Sequence, residues 1–433
     1  MSPLRIAIVT YNWPPRNAIG THRPYAWARY WSEAGAVVTV LTSVKQVFDE
    51  PLDMPLPYLD GVGVVSISYG GVRSGLINRL LKFQRARNLA KKVKSWLARS
   101  VGTNRDPRLA WRAAARDTAI RLATECDVVV STYGPSASHL IASDMKKANP
   151  SLHWVADYRD LWSQKHLGEV TERSRNESRE TELAAVGRYA DSLTAVSNDM
   201  VQQLGDLTSK PVRMFPNGFD IDEDLVRKRL REPIRQPIGT LRIVYTGMIY
   251  KGHRDPVPLL DALASLAAKG KLAPESVTVD FYGARVDVAR ELSQNPKYAP
   301  FIRVMGHVSR QQALDAQRNA WLLLLLESSE TEARGVLTGK IFEYIAAGRP
   351  ILCVGSRPDF EIGRVLSQTG TGTVFAKNEQ VRLEGAISET LSGRGLYDSY
   401  RPNFQQVLRF SRKRISFEFL EMLEGTSTKN LQI

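Results

Sequence analysis

At 433 residues the chain is too long for one hydrophobic core, so two domains are expected, and 43% apolar with 24% charged residues excludes a disordered or membrane-spanning make-up. Cys126 and Cys353 have no His or Cys partner nearby in sequence, which argues against a disulfide framework or zinc site and fits a reducing cytosol. The formal net charge of +14 is uneven: fourteen Lys and Arg lie between Arg73 and Arg121, against Asp106 and Asp117. From the N-terminus, "LRIAIVT" (4–10) is strand-length and runs straight into a loop, so no leader segment is expected. "RPYAWARYWSEAG" (23–35) reads as a helix ending at Gly35, and "VVTVLT" (37–42) as a second strand. "CDVVVST" (126–132), "WVADY" (154–158) and "SLTAVS" (192–197) continue the alternation with helical spacers. Short, fully apolar strands separated by helices predict a parallel sheet covered on both faces.

"REPIRQPIGT" (231–240), rich in Pro and Gly, reads as a linker, after which the pattern restarts. "LRIVYTG" (241–247), "VTVDFYG" (277–283), "IRVMG" (302–306), "WLLLLLES" (321–328) and "PILCVGS" (350–356) are strands. The expected class is α/β, with two doubly wound domains of similar size. Ligands of such sheets bind beyond the carboxyl ends of the strands, so two such domains facing each other form a cleft. The tail "FQQVLRFSRKRISFEFLEMLEG" (404–425) is helical and placed to cross back to the first domain. The longest apolar run, "AWLLLLL" (320–326), is too short to span a bilayer.

No G-x-G-x-x-G follows the first strand and no P-loop occurs, which removes the usual sequence support for a nicotinamide enzyme or P-loop ATPase. In "YNWPPRNAIGTHRP" (11–24), Gly20 before a helix admits two readings: a βα turn, or backbone amides approaching a phosphate. His139 in "STYGPSASHLIASDMKK" reads as helical and structural. In "WVADYRDLW" (154–162), Asp157 and Asp160 flank Arg159 at a strand end. Either they face a cleft as catalytic carboxylates, or they form an N-cap and an ion pair. In "YTGMIYKGHRDP" (245–256), Gly247 ends a strand and Lys251 and Arg254 follow, which suits a diphosphate or a solvated loop equally.

"LTGKIFEYIAAGRPIL" (337–352) is sharper. A helix N-terminus has unpaired amides and favours an anion. Lys340 beside Gly339 there makes sense when a phosphate sits between them. Glu343, one turn on and on the same face, can accept two hydrogen bonds from a ribose diol, while Ile341, Phe342 and Ile345 face the core. The stretch reads as a nucleotide-diphosphate cradle.

"KIFEYIAAGRPIL" resembles the donor-site helix of GT-B glycosyltransferases, above all the retaining family 4. "YNWPP…G", "ADYRDLW", "AVSNDM", "FPNGFD", "YTGMIYKG" and "FSRKRISFEFLEML" resemble further family elements in the right order along nearly the whole chain. The resemblance implies a GT-B fold with an acceptor domain over 1–218, a donor domain over 219–403 and a returning helix over 404–433. It implies that Glu343 binds the ribose, and that Lys251 with the amides near Gly339 and Lys340 holds the diphosphate. Gly247, Arg254 and, from the other domain, Gly20 would join them. Three positions depart from the family: Met248 stands where an Arg is common, Gly335 where a donor-sugar Glu is common, and "STYGPS" lacks a histidine near the reacting sugar. Glu327, Glu330 and Glu332 lie near Gly335 but off register.

The basic segment 76–99 splits into two amphipathic halves whose apolar stripes face different ways, meeting near Arg85. Through Arg79, Lys82, Arg85, Lys91, Lys92 and Lys94 it suits an anionic membrane surface, with a merely solvated face as the other reading. Nucleic acid is not expected, since aromatic residues are not interleaved with the cations. The expectation is a cytoplasmic glycosyltransferase at the inner face of the cell membrane, moving sugar from a nucleotide-diphosphate sugar to a lipid-linked or polysaccharide acceptor in envelope glycan synthesis. No metal or other cofactor is expected. The alternatives are a nucleotide-sugar epimerase of the same fold and a non-catalytic membrane- or nucleic-acid-binding protein.

Overall fold

The computed structural model describes residues 2–70, 106–162, 172–234, 239–249, 254–284 and 286–429. The chain divides into two compact units, Met1–Val196 with Met200–Phe215 and Ser416–Ile433, and Ser197–Asp199 with Pro216–Ile415.

The first unit is built on strands β1 (Arg5–Val9), β2 (Val37–Ser43), β3 (Val62–Ile67), β4 (Val128–Thr132), β5 (His153–Tyr158), β6 (Ser192–Ala195) and β7 (Val212–Met214). They pair in parallel in the order β3-β2-β1-β4-β5-β6-β7. The central strands are apolar on both faces because helices cover both, and β4 is buried along its whole length. Helix His22–Glu33 carries Trp27 and Trp31, whose rings stack 5.6 Å apart, and Phe419 meets both edge-on. Phe419 also stacks on Phe215 at 4.6 Å, and the Trp31 indole N–H donates to the Ser416 carbonyl at 2.7 Å. The C-terminal part of helix Arg412–Lys429 is thus a wall of the first unit's core.

The second unit repeats the design with β8 (Leu241–Thr246), β9 (Val277–Tyr282), β10 (Ile302–Gly306), β11 (Leu322–Leu326), β12 (Ile351–Val354) and β13 (Gly372–Phe375). These pair in parallel in the order β10-β9-β8-β11-β12-β13. β11, five leucines in a row, is wholly buried. Each sheet reverses its winding once, between β1 and β4 and between β8 and β11, and such switch points open a crevice at the strand carboxyl ends.

The expected strands are all present, and β3, β7 and β13 join them. The linker expected at 231–240 is not the boundary. The break falls at Phe215/Pro216, and helix Glu223–Arg231 lies within the second unit, with Val226 and Leu230 in that unit's core. Residues 404–415 likewise stay with the second unit, so only the chain from Ser416 onward belongs to the first. The six cations of the basic segment lie outside the described residues. Among the described residues no helix is long and apolar enough to cross a membrane.

Candidate functional site

In the second unit, helix Gly339–Ala347 begins beside the β8/β11 switch point. Its apolar residues Ile341, Phe342, Tyr344 and Ile345 are fully buried, and Gly348 in the left-handed conformation (φ 71°) stops it. The Thr338 side chain makes no cap hydrogen bond to the first amides. Tyr344 anchors the helix to β8, its hydroxyl accepting from the Thr246 amide at 2.9 Å.

Gly247 follows β8 with φ 124°, and a Cβ there would run into the Lys340 side chain. The glycine therefore lets Lys340 lie across the strand end. The Lys340 ammonium donates to the Tyr245 hydroxyl at 2.6 Å and sits 4.1 Å from that ring's centroid. Arg254 and Glu327 stand nearby, with Arg254 Nε 3.8 Å from Glu327 Oε2. Glu327 directly follows β11, is 7% exposed, and has the Thr338 hydroxyl beside it.

Burial decides the protonation behaviour of this group. It pushes Lys340 down to about 7; Arg254 adds to the push, and Glu327 and Glu343 oppose it. Burial raises Glu327, against Arg254 and Lys340. An anion brought against Lys340 and Arg254 would offset that burial.

Glu343 is held by two partners: Arg310 at 3.3 Å from Oε1, and the Gln317 amide donating to Oε2 at 3.3 Å. Gln317 is itself fixed by donating to Thr246 Oγ1 at 2.9 Å. Glu343 stays 23% exposed, which leaves lone pairs for hydroxyl donors. Gly247, Arg254, Gly339, Lys340 and Glu343 are thus brought together at one strand-end crevice. Lys251 lies outside the described residues.

Sequence reasoning missed Gln317 and Arg310 and left Glu327 out of register. The available signal was topological: an acid directly after a wholly apolar strand whose neighbour ends in Gly247. Gly335 packs against the Asp199 side chain, where a Cβ would clash, so no longer side chain fits there without displacing Asp199.

The first unit places the remaining candidates. Asp157, at the end of β5, is fully buried and accepts four hydrogen bonds. Arg23 gives Nε at 3.1 Å and a terminal N–H at 2.7 Å, and the Thr132 and Thr194 hydroxyls donate at 2.8 Å each. That geometry corrects the expectation of a catalytic base: its lone pairs are committed, and it ties β4, β5, β6 and helix His22–Glu33 together. Asp160 is exposed. Arg159 donates to the Tyr133 carbonyl from Nε at 3.1 Å and from a terminal nitrogen at 2.7 Å. Its guanidinium occupies the space that a Cβ on Gly20 would need, which is a reason for glycine at that position independent of any ligand. His139 is buried, bonded through Nδ1 to Ser131 Oγ at 2.7 Å and pushed down to about 3 by burial, a neutral structural residue.

No family profile and no curated protein matches the chain in sequence. Solved structures do match in fold. The α,α-trehalose-phosphate synthase (UDP-forming) of Burkholderia vietnamiensis aligns with TM-score 0.63 at 10% identity, covering 99% of both chains. The N-terminal domain of the Candida albicans trehalose-6-phosphate phosphatase aligns with TM-score 0.60 at 11% identity, over 98% of this chain and 97% of the other. An E. coli structure described as bound with UDP-2-fluoro glucose aligns with TM-score 0.59 at 12% identity, over 97% and 98%. The chain has the GT-B fold, two Rossmann-like parallel-sheet domains over its full length.

Proposed function

We propose that the protein is a glycosyltransferase that moves a sugar from a nucleotide-diphosphate donor to an acceptor hydroxyl. The observation that carries this reading is the charge arrangement at the β8/β11 switch point. Lys340 and Arg254 stand beside a helix N-terminus, with Glu343 one turn along the helix. The solved relatives in fold include one named as UDP-forming and one described as bound to a UDP-sugar, which supports the same reading.

The cations and the helix amides would hold the diphosphate and stabilise its charge as it leaves the anomeric carbon. Glu343 would accept from the ribose diol, and Lys251 would add a further cation. Leaving-group stabilisation of this kind needs no metal ion. Resemblance to the retaining family 4 supports retention of configuration and a lipid-linked or polysaccharide acceptor bound by the first unit, with Asp160 orienting the acceptor hydroxyl. The basic segment around Arg79–Lys94 would bring the enzyme to an anionic membrane face.

Calorimetric titration with a panel of nucleoside diphosphates and their sugars tests the core of this. At least one should bind, with Glu343→Ala weakening it. No binding by any member would refute the donor site.

A further inference from the structure

The first unit has its own concentration of charge, where the carboxyl ends of β1 and β2 run into loops. Tyr11, just past β1, is buried, and three cations face its ring. Lys45 Nζ lies 4.9 Å, Arg108 Cζ 5.4 Å and Arg16 Cζ 5.5 Å from the centroid. The one carboxylate in the middle, Asp49, is already engaged. Its Oδ2 accepts the Tyr11 hydroxyl at 2.6 Å and the Gln46 amide at 2.9 Å. Its Oδ1 accepts Arg108 Nε at 3.4 Å and lies 3.9 Å from Arg16 Nε. Asp106 stands on the outer side of Arg108, 3.6 Å away. Among the described residues here, Lys45, Arg16 and Arg108 face two carboxylates, Asp49 and Asp106, and Arg159 adds its field at Arg16.

The three cations differ in what they have left to offer. The Lys45 ammonium is used up on the Tyr11 carbonyl (2.6 Å), the Thr42 hydroxyl (3.0 Å) and the Ser43 carbonyl (2.8 Å). Arg16 donates one terminal N–H to Asn12 Oδ1 at 2.5 Å, and Arg108 donates Nε to Asp49. A guanidinium has five N–H groups, so both forks keep most of theirs. Both are open to solvent, 18% and 24% exposed. Asn12 in turn donates to the Gly134 carbonyl at 2.6 Å, which fixes the Arg16 fork beside the β1/β4 switch point. Burial and then Arg108 lower Arg16, while burial pushes Lys45 down to about 7, with Arg16 adding to the push and Asp49 opposing it. Burial works to lower Arg108, but Asp106 and Asp49 outweigh it and raise the group, so the corner is a built pair of charged guanidinium forks with spare donors.

We propose that Arg16 and Arg108 form an anion subsite that takes a phosphoryl group of the acceptor, so that the acceptor is a phosphorylated or phosphate-linked molecule rather than a neutral glycan. The word acceptor rests on the glycosyl-transfer reading above; the anion site does not. Planar guanidinium forks match phosphoryl oxygens two at a time, which is what a phosphoryl group needs from Arg16 and Arg108.

Calorimetry on the full chain tests this with inorganic phosphate at constant ionic strength against chloride, then with a soluble hexose phosphate and with phosphatidic-acid vesicles. Wild type should bind phosphate saturably at millimolar concentration or tighter. Arg16→Gln and Arg108→Gln should each weaken it about tenfold or more, with nucleoside-diphosphate affinity unchanged. Binding of the hexose phosphate supports a soluble acceptor, and binding of the vesicles alone supports a lipid-borne one. Should the Gln variants fail to fold, Arg16→Lys and Arg108→Lys keep the charge facing Asp49 but lose the fork, and they should still weaken phosphate. The proposal is overturned if wild type binds phosphate no better than chloride, or if the variants retain it. A parallel loss of nucleoside-diphosphate affinity also overturns it, because the cations would then serve the donor. Intact phosphate binding in a protein that binds no nucleotide would instead sink the glycosyl-transfer reading and leave the anion site standing.

Discussion

Donor binding should draw a proton from solution, and Lys340 sets how much. Its ammonium is pushed down from the ordinary 10.5 to about 7, because it is buried and stands beside Arg254. A diphosphate placed against it favours the charged form and returns the group toward its ordinary value. At pH 8 about nine in ten free molecules hold Lys340 neutral, so binding takes up about 0.9 proton; at pH 6 the figure falls to about 0.1. The sign follows. From Lys340 alone, affinity is flat below about pH 7 and weakens by up to tenfold per unit above it, until the pKa of the complex is reached; below about pH 6 a terminal diphosphate takes up its own proton and weakens too. Full recovery of the ordinary value sets a ceiling of about 5 kcal/mol on this linkage. The diphosphate's own last proton is gone by pH 8, with a pKa of about 6, so it does not contribute there. Glu327 is coupled to the same group, and Arg254 and Glu343 also face it. The experiment therefore includes Glu327→Gln, which removes the partner that titrates with Lys340. The assay is calorimetry at pH 8 in buffers of different ionisation enthalpy. Uptake should persist in Glu327→Gln and vanish in Lys340→Met. No uptake in wild type, or equal uptake in Lys340→Met, refutes the reasoning.

Glu343→Ala should weaken nucleotide-sugar binding by about 1.5–3 kcal/mol, read by calorimetry, because charge-assisted bonds to a diol are lost. Asp157→Asn should lower the unfolding free energy by about 3–5 kcal/mol in a denaturant melt, since it breaks a buried ion pair with Arg23; a small change would mean the four bonds matter less than their geometry states. Replacing Arg79, Lys82, Arg85, Lys91, Lys92 and Lys94 together by Gln should release the protein from anionic vesicles in flotation at low salt, each cation near the surface being worth about 1 kcal/mol. Wild type that fails to float would remove the membrane reading.

The doubly wound sheets were legible because fully apolar runs such as the five leucines of β11 have no other home than a parallel sheet with both faces covered. Strands β3 and β7 escaped because Val62–Ile67 alternates and is largely exposed, and Val212–Met214 is three residues long. Lys340 and Glu343 could be paired from sequence, since residues three apart share a helix face. Glu327 could not, because its place beside Arg254 is set by the neighbouring of β8 and β11, a long-range fact. Asp157 was misjudged for a similar reason. Its partner Arg23 lies far away in the chain, on a helix, and only the fold brings the two together.

The tail that completes the first unit has a consequence for synthesis. Phe419, which is fully buried, closes the aromatic cluster of Trp27, Trp31 and Phe215, and the Ser416 carbonyl receives the Trp31 indole. Domains commonly fold in the order in which they leave the ribosome. Here the domain made first lacks part of its core until the chain beyond Ser416 emerges, while the second unit, whose residues run to Ile415, can finish earlier. Residues 1–215 expressed alone would show bare tryptophans to solvent. The half that is translated first is the half that must wait.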